Sequence, residues 1–295
     1  MIRNLILAVL AVTVSVMLPT PGLSQTGGTS LRWQLPVGRK LEIEMTQRMN
    51  NSQNFGGNEM TTTMSTTNFM TWEVESVDES SGVAKIKTEI DRMTMNMKSP
   101  QATFEIDSDS DEELEGMAKV VGEKLVGMVG KPFGQTMDSS GEVLTVDFPE
   151  ELAAMMMGKE AMEKQIKNAS PRFPKDPVTV GQTWNQETTT PMQGGLGEMQ
   201  LASTYTYKGR ETVEGKELEV IDIDIKMGFK ATEDSPAAIE ITDQSTEGKI
   251  FFDAANGHAT SLNVKQSMTM DIELAGQTIS QTIGNVTEGK FRLAK

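Results

Sequence analysis

The sequence predicts a mainly β protein of the α+β class, in which two related, curved antiparallel sheets pack against two helices. Three observations lead to this prediction. Long stretches of the chain alternate apolar and polar residues, which is the period of a strand with one buried face. Two shorter stretches repeat apolar residues every three or four positions, as amphipathic helices do. A short segment near residue 36 also recurs near residue 179, which indicates an internal duplication.

Residues 1–24 have the features of a secretory signal peptide. A basic residue precedes the apolar stretch Leu5–Leu18, and the small residues Gly22 and Ser24 stand before the expected cleavage point. The apolar stretch is shorter than the roughly 20 residues that a membrane-spanning helix requires. We therefore predict cleavage after Ser24, a flexible lead over residues 25–30, and a secreted or periplasmic protein without a membrane span.

The first half of the mature chain, residues 31–170, begins with strand patterns. Leu41, Ile43 and Met45 alternate with polar residues, which is typical of a strand with one buried face. Threonine is a β-branched residue that favours strands, and it is frequent between residues 60 and 77. Similar patterns predict strands over residues 60–77, 83–97, 199–207, 217–229, 238–252, 260–274 and 277–291.

Two helices are predicted to interrupt these strands, at about residues 110–129 and 149–168. In both, apolar residues recur at three- and four-residue intervals and form one stripe. Three consecutive acidic residues, 111–113, fall in the predicted first turn of the first helix. The positive end of the helix dipole favours negative charge at that position.

A cluster of prolines divides the chain into two β-rich halves. Three prolines stand between residues 171 and 177, so we place the boundary there and assign residues 171–295 to the second half. Residues 36–41 at the start of the first half resemble residues 179–184 at the start of the second. This similarity is the basis for describing the two halves as related.

The composition excludes several classes of function. The chain has no Cys and one His, which rules out disulfides, Cys nucleophiles and His-rich metal cages. Its formal net charge of −15 argues against nucleic acid as a partner, because phosphate binding needs basic patches. The one imidazole, His258, follows an Asn-Gly turn signal and is expected to be a solvent-exposed turn residue. We therefore predict that the protein is not an enzyme and has no cofactor.

Methionine is the most unusual feature of the composition, with 22 residues. Met93, Met95 and Met97 lie on one face of a predicted strand, and Met268 and Met270 share a face of another. Methionine is flexible and polarizable, so it suits adaptable apolar surfaces. Three interpretations are open: ordinary core filling in a chain with few aromatic residues, a cavity for a lipid-like or apolar peptide ligand, and a site for soft Cu(I).

Two segments resemble known families. Residues 173–184 resemble the opening of a domain-of-unknown-function family of bacterial secreted proteins. Residues 248–262 are similar to a strand-turn-strand pattern in envelope proteins of the lipoprotein-carrier (LolA-like) shape. The resemblance implies a strongly curved antiparallel sheet that wraps short helices around an apolar cavity, in a protein of the bacterial envelope. It implies no catalytic residues.

These observations predict a non-enzymatic secreted or periplasmic protein that binds a lipid-like or apolar ligand on a methionine-rich concave face. The predicted contacts are Met93, Met95, Met97, Met268 and Met270, with no metal site. The alternative is a structural or protein-interaction module that has no small ligand and works through exposed sheet edges. The sequence identifies no particular protein partner.

Overall fold

The computed structural model describes residues 28–155, 159–191, 197–232, 235, 237–274 and 277–294. The predicted signal peptide, residues 1–24, and residues 25–27 of the predicted lead lie outside this part of the chain. Thr29, at the end of the predicted lead, pairs with Val178 through two backbone hydrogen bonds of 2.8 Å. No helix within the described ranges is long and apolar enough to cross a membrane.

The structure confirms the mainly β class. Most of the predicted strands form, and many are long enough for their two-residue alternation to cover two large surfaces. The first half of the chain contains β1 (Lys40–Phe55), β2 (Asn58–Val77), β3 (Ala84–Lys98), β4 (Thr103–Asp107), β5 (Phe133–Met137) and β6 (Val143–Asp147). The second half contains β7 (Thr183–Pro191), β8 (Gly197–Val213), β9 (Lys216–Ala231), β10 (Ala237–Asp253), β11 (His258–Leu274) and β12 (Gln277–Leu293).

The helices are shorter than predicted. The helix expected over residues 110–129 is α1 (Gly116–Val126), and the acidic residues 111–113 precede it instead of occupying its first turn. The helix expected over residues 149–168 is two helices, α2 (Glu150–Met155) and α3 (Lys159–Ala169), and residues 156–158 between them are outside the described ranges. Gly116 has a φ of +57°, a left-handed conformation that cannot continue a helix towards residue 110.

The prediction of two sheets is wrong, because the strands form one continuous antiparallel sheet. Its order is β6-β5-β3-β2-β1-β12-β11-β10-β9-β8-β7, with β4 paired to the outer part of β3. The two halves join where β1 pairs with β12 along its length, from Leu41 opposite Leu293 to Asn54 opposite Ser280. This long pairing leaves no free edge between the halves.

Each half contributes a five-stranded antiparallel meander, and β12 lies between the two meanders. The turns that open them, residues 36–39 and 179–182, have the same hydrogen bonds. In each, the glycine N–H donates to a carbonyl of the neighbouring second strand, at 2.9 Å for Gly38 and 2.8 Å for Gly181. Both glycines have positive φ, +82° and +87°, which a side chain would strain.

The sheet is strongly curved. The ring centroid of Trp33 lies 6.2 Å from that of Trp72 on β2 and 5.9 Å from that of Phe252 on β10. Four strand spacings separate β2 from β10, which is roughly 19 Å in a flat sheet. Both rings can approach Trp33 so closely only because the face that carries them is concave. The edge strands β6 and β7 also both contact α3, which lies between them.

The packed core fills one end of the concave side, which we call the proximal end. Leu31 and Trp33 from the N-terminal segment and Phe173 from the proline-rich segment are buried there against Phe252 and the starts of β1 and β3. The Arg32 guanidinium ties the two segments together by donating to the backbone carbonyls of residues 174 and 175. The opposite, distal end of the sheet consists of the long hairpins β1–β2 and β11–β12.

The packing of α2 against the proximal core can be tested with two leucines. Leu152 on α2 is 1% exposed, whereas Leu144 on β6 is 40% exposed. Leu152→Ala removes buried methyl groups and leaves a cavity, so we expect it to lower the free energy of unfolding by about 2–5 kcal/mol. Leu144→Ala should cost less than about 1 kcal/mol. Equilibrium urea unfolding checks this, and equal losses in the two variants would show that α2 does not pack as described.

Candidate ligand-binding face

Charge separates the two faces of the sheet. Residues directly opposite each other on neighbouring strands point to the same side, so the register assigns every strand residue to a face. The convex face carries charged pairs such as Lys40–Glu73, Arg48–Glu288 and Lys290–Glu44. Among the described strand residues of the concave face, charge occurs only at Arg210, Glu217 and Glu219 near the β8–β9 turn. There the Arg210 guanidinium forms ion pairs with both glutamates.

Two β-bulges maintain this separation. In β3, Arg92 lies opposite Phe69 and Ile90 lies opposite Met70, so Asp91 is an extra residue. The bulge lets Ile90 and Met93 face the same concave side although they are three residues apart. In β10, a similar shift at Thr242 keeps Ile241 and Gln244 on the concave side. Without these bulges, half of each strand would turn its charged side chains inward.

All five methionines of the predicted site lie on the concave face. Met93, Met268 and Met270 are 7%, 4% and 7% exposed, whereas Met95 and Met97 are half-buried. Four strand spacings separate β3 from β11, so the two groups lie on opposite walls of the concavity. The two groups also lie at similar positions along the strands. We call residues that stand opposite one another across neighbouring strands a row. Met97 is in the same row as Gln266, and Gln266 is the concave-face residue next to Met268.

The sequence analysis missed further methionines of this surface, and two of them, Met49 and Met64, lie in one row with Met97. Met97, Met64 and Met49 stand directly opposite one another on β3, β2 and β1. The signal was the same alternation of Met with polar residues, but only the register shows that the three residues share one row. Thioethers are the ligands that suit Cu(I), and this row is the densest set of thioethers that the pairing brings together. The described residues contain no group of three or more His, Cys, Asp or Glu side chains that could hold a metal ion.

The distal part of the concave face is apolar, and among the described residues a helix packs closely on it chiefly at β4, which α1 contacts. The helices contact chiefly β4, β6 and β7. Apolar side chains on the other strands of this region are only half-buried. Those from the second half of the chain are Met199, Leu201, Ile225, Met227, Phe229, Ile239, Ile241, Ile272, Ile279 and Ile283. The distal part of the concave face is therefore a long uncharged surface with flexible methionine side chains, which we call the trough.

Several polar atoms on the concave face are buried without a hydrogen-bond partner. Within the described part of the chain these include Thr66 Oγ1, Asn68 Oδ1, Thr88 Oγ1 and Gln135 Nε2, all on β2, β3 and β5. Asn68 lies directly opposite Met93, and Thr66 lies opposite Met95. An unpaired buried polar group costs free energy, so native proteins almost always satisfy it. These atoms therefore retain unused hydrogen-bonding capacity inside the protein.

Two polar side chains on the concave face of β10 have partners on β9. Gln244 accepts from the Met227 N–H at 2.7 Å and donates to the Met227 carbonyl at 3.0 Å. Thr246 donates to the Ile225 carbonyl at 2.7 Å. These side chains bridge β9 and β10 beyond the short backbone ladder that links the two strands. The two walls therefore differ in their free hydrogen-bonding capacity.

His258 is not the solvent-exposed turn residue that was predicted. It begins β11 opposite Asp253 and is 5% exposed, because the turn between them packs against Gln34 of the N-terminal segment. Its Nδ1 is buried without a partner. Burial lowers the pKa of the imidazole, and the neighbouring Asp253 carboxylate opposes that effect only in part. The Asp253 carboxylate itself accepts hydrogen bonds from the backbone and side-chain amides of Asn256.

The sequence comparison confirms the predicted resemblance to a family of unknown function. Residues 81–157, from β3 to α2, match the model of a family described as "Family of unknown function (DUF6263)". The matched stretch does not include residues 173–184 or 248–262, which suggested the resemblance. No curated protein matches the chain.

Solved structures with a similar arrangement are distant. One is lipovitellin, from a study of lipid–protein interactions, with 9% identity and a TM-score of 0.49 over 89% of this chain. The chain spans 26% of the lipovitellin chain that it matches. An exported protein with a YmcC-like fold from Bacteroides fragilis has 8% identity, a TM-score of 0.25 and coverage of 90% and 100% of the two chains. A DUF1329 protein from Desulfovibrio piger has 9% identity, a TM-score of 0.13 and coverage of 84% and 83%.

The environment of His258 can be tested directly, because it is the only histidine in the chain. Its one imidazole signal in a proton NMR titration should give a pKa below the ordinary 6.5. The unfolded chain then binds this proton more tightly than the folded protein, so stability should fall as the pH drops below about 6.5.

Urea unfolding of the wild type and His258→Asn at pH 7.5 and 5.5 measures that contribution. The wild type should lose more stability than the variant between the two pH values. A titration midpoint at or above 6.5 would contradict the buried position of the ring.

Proposed function

We propose that this protein is a non-enzymatic carrier or binding protein of the bacterial envelope that holds a lipid-like, apolar ligand on its concave face. The predicted contacts are Met93, Met95 and Met97 on one wall and Met268 and Met270 on the other. The observation that carries the proposal is the separation of charge: the described strand residues of the trough are uncharged, including those of its distal part, where α1 contacts chiefly β4.

The energetics favour a long hydrocarbon chain as the ligand. Burial of each methylene contributes about 0.8 kcal/mol, so the roughly 14 methylenes of a 16-carbon acyl chain contribute about 11 kcal/mol, which is of the same order as the cost of association. Methionine side chains adapt to a ligand of variable shape at low cost. Branched, half-buried residues such as Ile283 and Ile272 would supply the opposite side of the contact.

The proposed location rests on residues 1–24, whose charge, apolar stretch and small residues are those of a secretory signal peptide. The alternative, an interaction module that works through open sheet edges, has less support. α3 contacts both edge strands, β6 and β7, which reduces the backbone available for pairing with another protein.

Extraction of the purified protein tests the proposal. The mature protein, secreted from a bacterial host, should release an apolar compound in close to stoichiometric amount. Met95→Asp places a carboxylate in the trough, where an unpaired charge is strongly disfavoured beside hydrocarbon, so bound ligand should fall at least about tenfold. Ile283→Asp should do the same from the opposite wall. Mass spectrometry of the solvent extract measures both losses.

The matched controls place the same charge on the convex side of the same strands. Asn96→Asp is next to Met95, and Thr282→Asp is next to Ile283, and both positions are exposed. These variants should retain the ligand. A wild-type protein that yields no apolar compound and binds no apolar fluorescent probe would rule the proposed function out.

A further inference from the structure

The unpaired polar atoms of the trough indicate the chemistry of the ligand's polar end. Thr66 Oγ1 and Asn68 Oδ1 are buried without partners, two residues apart on β2, and each faces a methionine on β3. Both belong to uncharged side chains, and the nearest charged residue of β3, Arg92, is on the convex face with its guanidinium on Asp107. The site therefore offers hydrogen bonds but no counter-charge.

We infer, on the basis of the proposed function, that the ligand is a neutral acyl lipid whose amide or hydroxyl-bearing ester group binds Thr66 and Asn68. The Thr66 hydroxyl donates to the ligand carbonyl. Asn68 Oδ1 is an acceptor in its present orientation, so a ligand group that also carries a donor, either an amide N–H or a hydroxyl, satisfies both side chains. The acyl chain then runs between the two walls, past Met97 and towards Met268 and Ile283.

A carboxylate or phosphate head group fits this site poorly. An ionised carboxylate only accepts hydrogen bonds, so it would meet the Asn68 carbonyl oxygen with no proton between them. It would also enter an uncharged trough without a cation to compensate for lost hydration, which is costly. A quaternary ammonium group has the same desolvation cost and can donate no hydrogen bond to Asn68.

The polar group is assigned to the first-half wall because the buried polar atoms without a partner on the described concave-face strands all lie there. Gln244 and Thr246 on the second-half wall are hydrogen-bonded to the backbone of β9. Gln186 is also occupied, since it accepts from the Arg172 N–H and donates to the Ser170 carbonyl. Thr88 and Gln135, which are unpaired and 2% and 4% exposed, lie farther in on the first-half wall and provide a second position for a larger head group.

The experiment compares ligands that share a 16-carbon chain and differ only in the head group. Delipidated wild-type protein is loaded with the neutral apolar probe N-phenyl-1-naphthylamine, and displacement is followed by fluorescence at pH 8. N-(2-hydroxyethyl)palmitamide and 1-monopalmitoylglycerol should displace the probe at concentrations at least about tenfold lower than palmitate or hexadecyltrimethylammonium. Palmitate that competes equally well or better would overturn the inference while leaving the proposed function intact. Failure of the probe itself to bind would instead count against the proposed function.

A double variant tests the residues that are assigned to the polar group. Thr66→Val with Asn68→Leu preserves volume and removes both hydrogen-bonding groups, so the affinity for the two neutral ligands should fall about tenfold. Probe affinity should not change, and the melting temperature should hold or rise because two unpaired buried groups are lost. Thr63→Val, exposed on the convex side of the same strand, is the control. An unchanged preference for neutral ligands in the double variant would refute the assignment.

Discussion

The structure depends on a single geometric constraint, the two-residue alternation of side chains along very long strands. Because this alternation holds across one continuous sheet, one choice of register sends nearly all strand charges to the convex side and leaves the other side neutral. The bulges at Asp91 and Thr242 are part of the same constraint, since they reset the alternation where the sequence changes phase. A slip of one residue in β3 would exchange Met95 for polar Thr94 or Asn96.

The curvature of the sheet makes this uncharged face concave, as a ligand-binding surface requires. A flat sheet with one uncharged face would expose a broad apolar surface to water, which soluble proteins avoid. Here Trp33 holds Trp72 and Phe252 together at the proximal end, and α3 lies between the two sheet edges. The concave side is thereby packed at its proximal end. Among the described residues of the distal end, the apolar side chains outside β4 have no helix packed closely against them.

The sequence predicted what depends on local pattern and missed what depends on distant pairing. The alternation around Met93 and Met268 was sufficient to place both groups on inward faces. The join of β1 to β12 links the two ends of the chain, so no local pattern could reveal that the halves form one sheet. The row of Met49, Met64 and Met97 needed the register, and the burial of His258 needed the position of the N-terminal segment, which is remote in sequence.

The two halves share a topology but differ in the side chains on their concave faces. This difference determines which way round a ligand binds in the trough. On the first-half wall, methionines alternate with polar side chains such as Asn68 and Thr66 that find no partner. On the second-half wall, isoleucines and methionines predominate, and Gln244 forms hydrogen bonds that bridge β9 and β10. A symmetric container would accept a chain in either orientation. Here both walls are suited to hydrocarbon, so the orientation of the ligand depends on where buried polar atoms lack a partner, and among the described concave-face strand residues these atoms lie on the first-half wall.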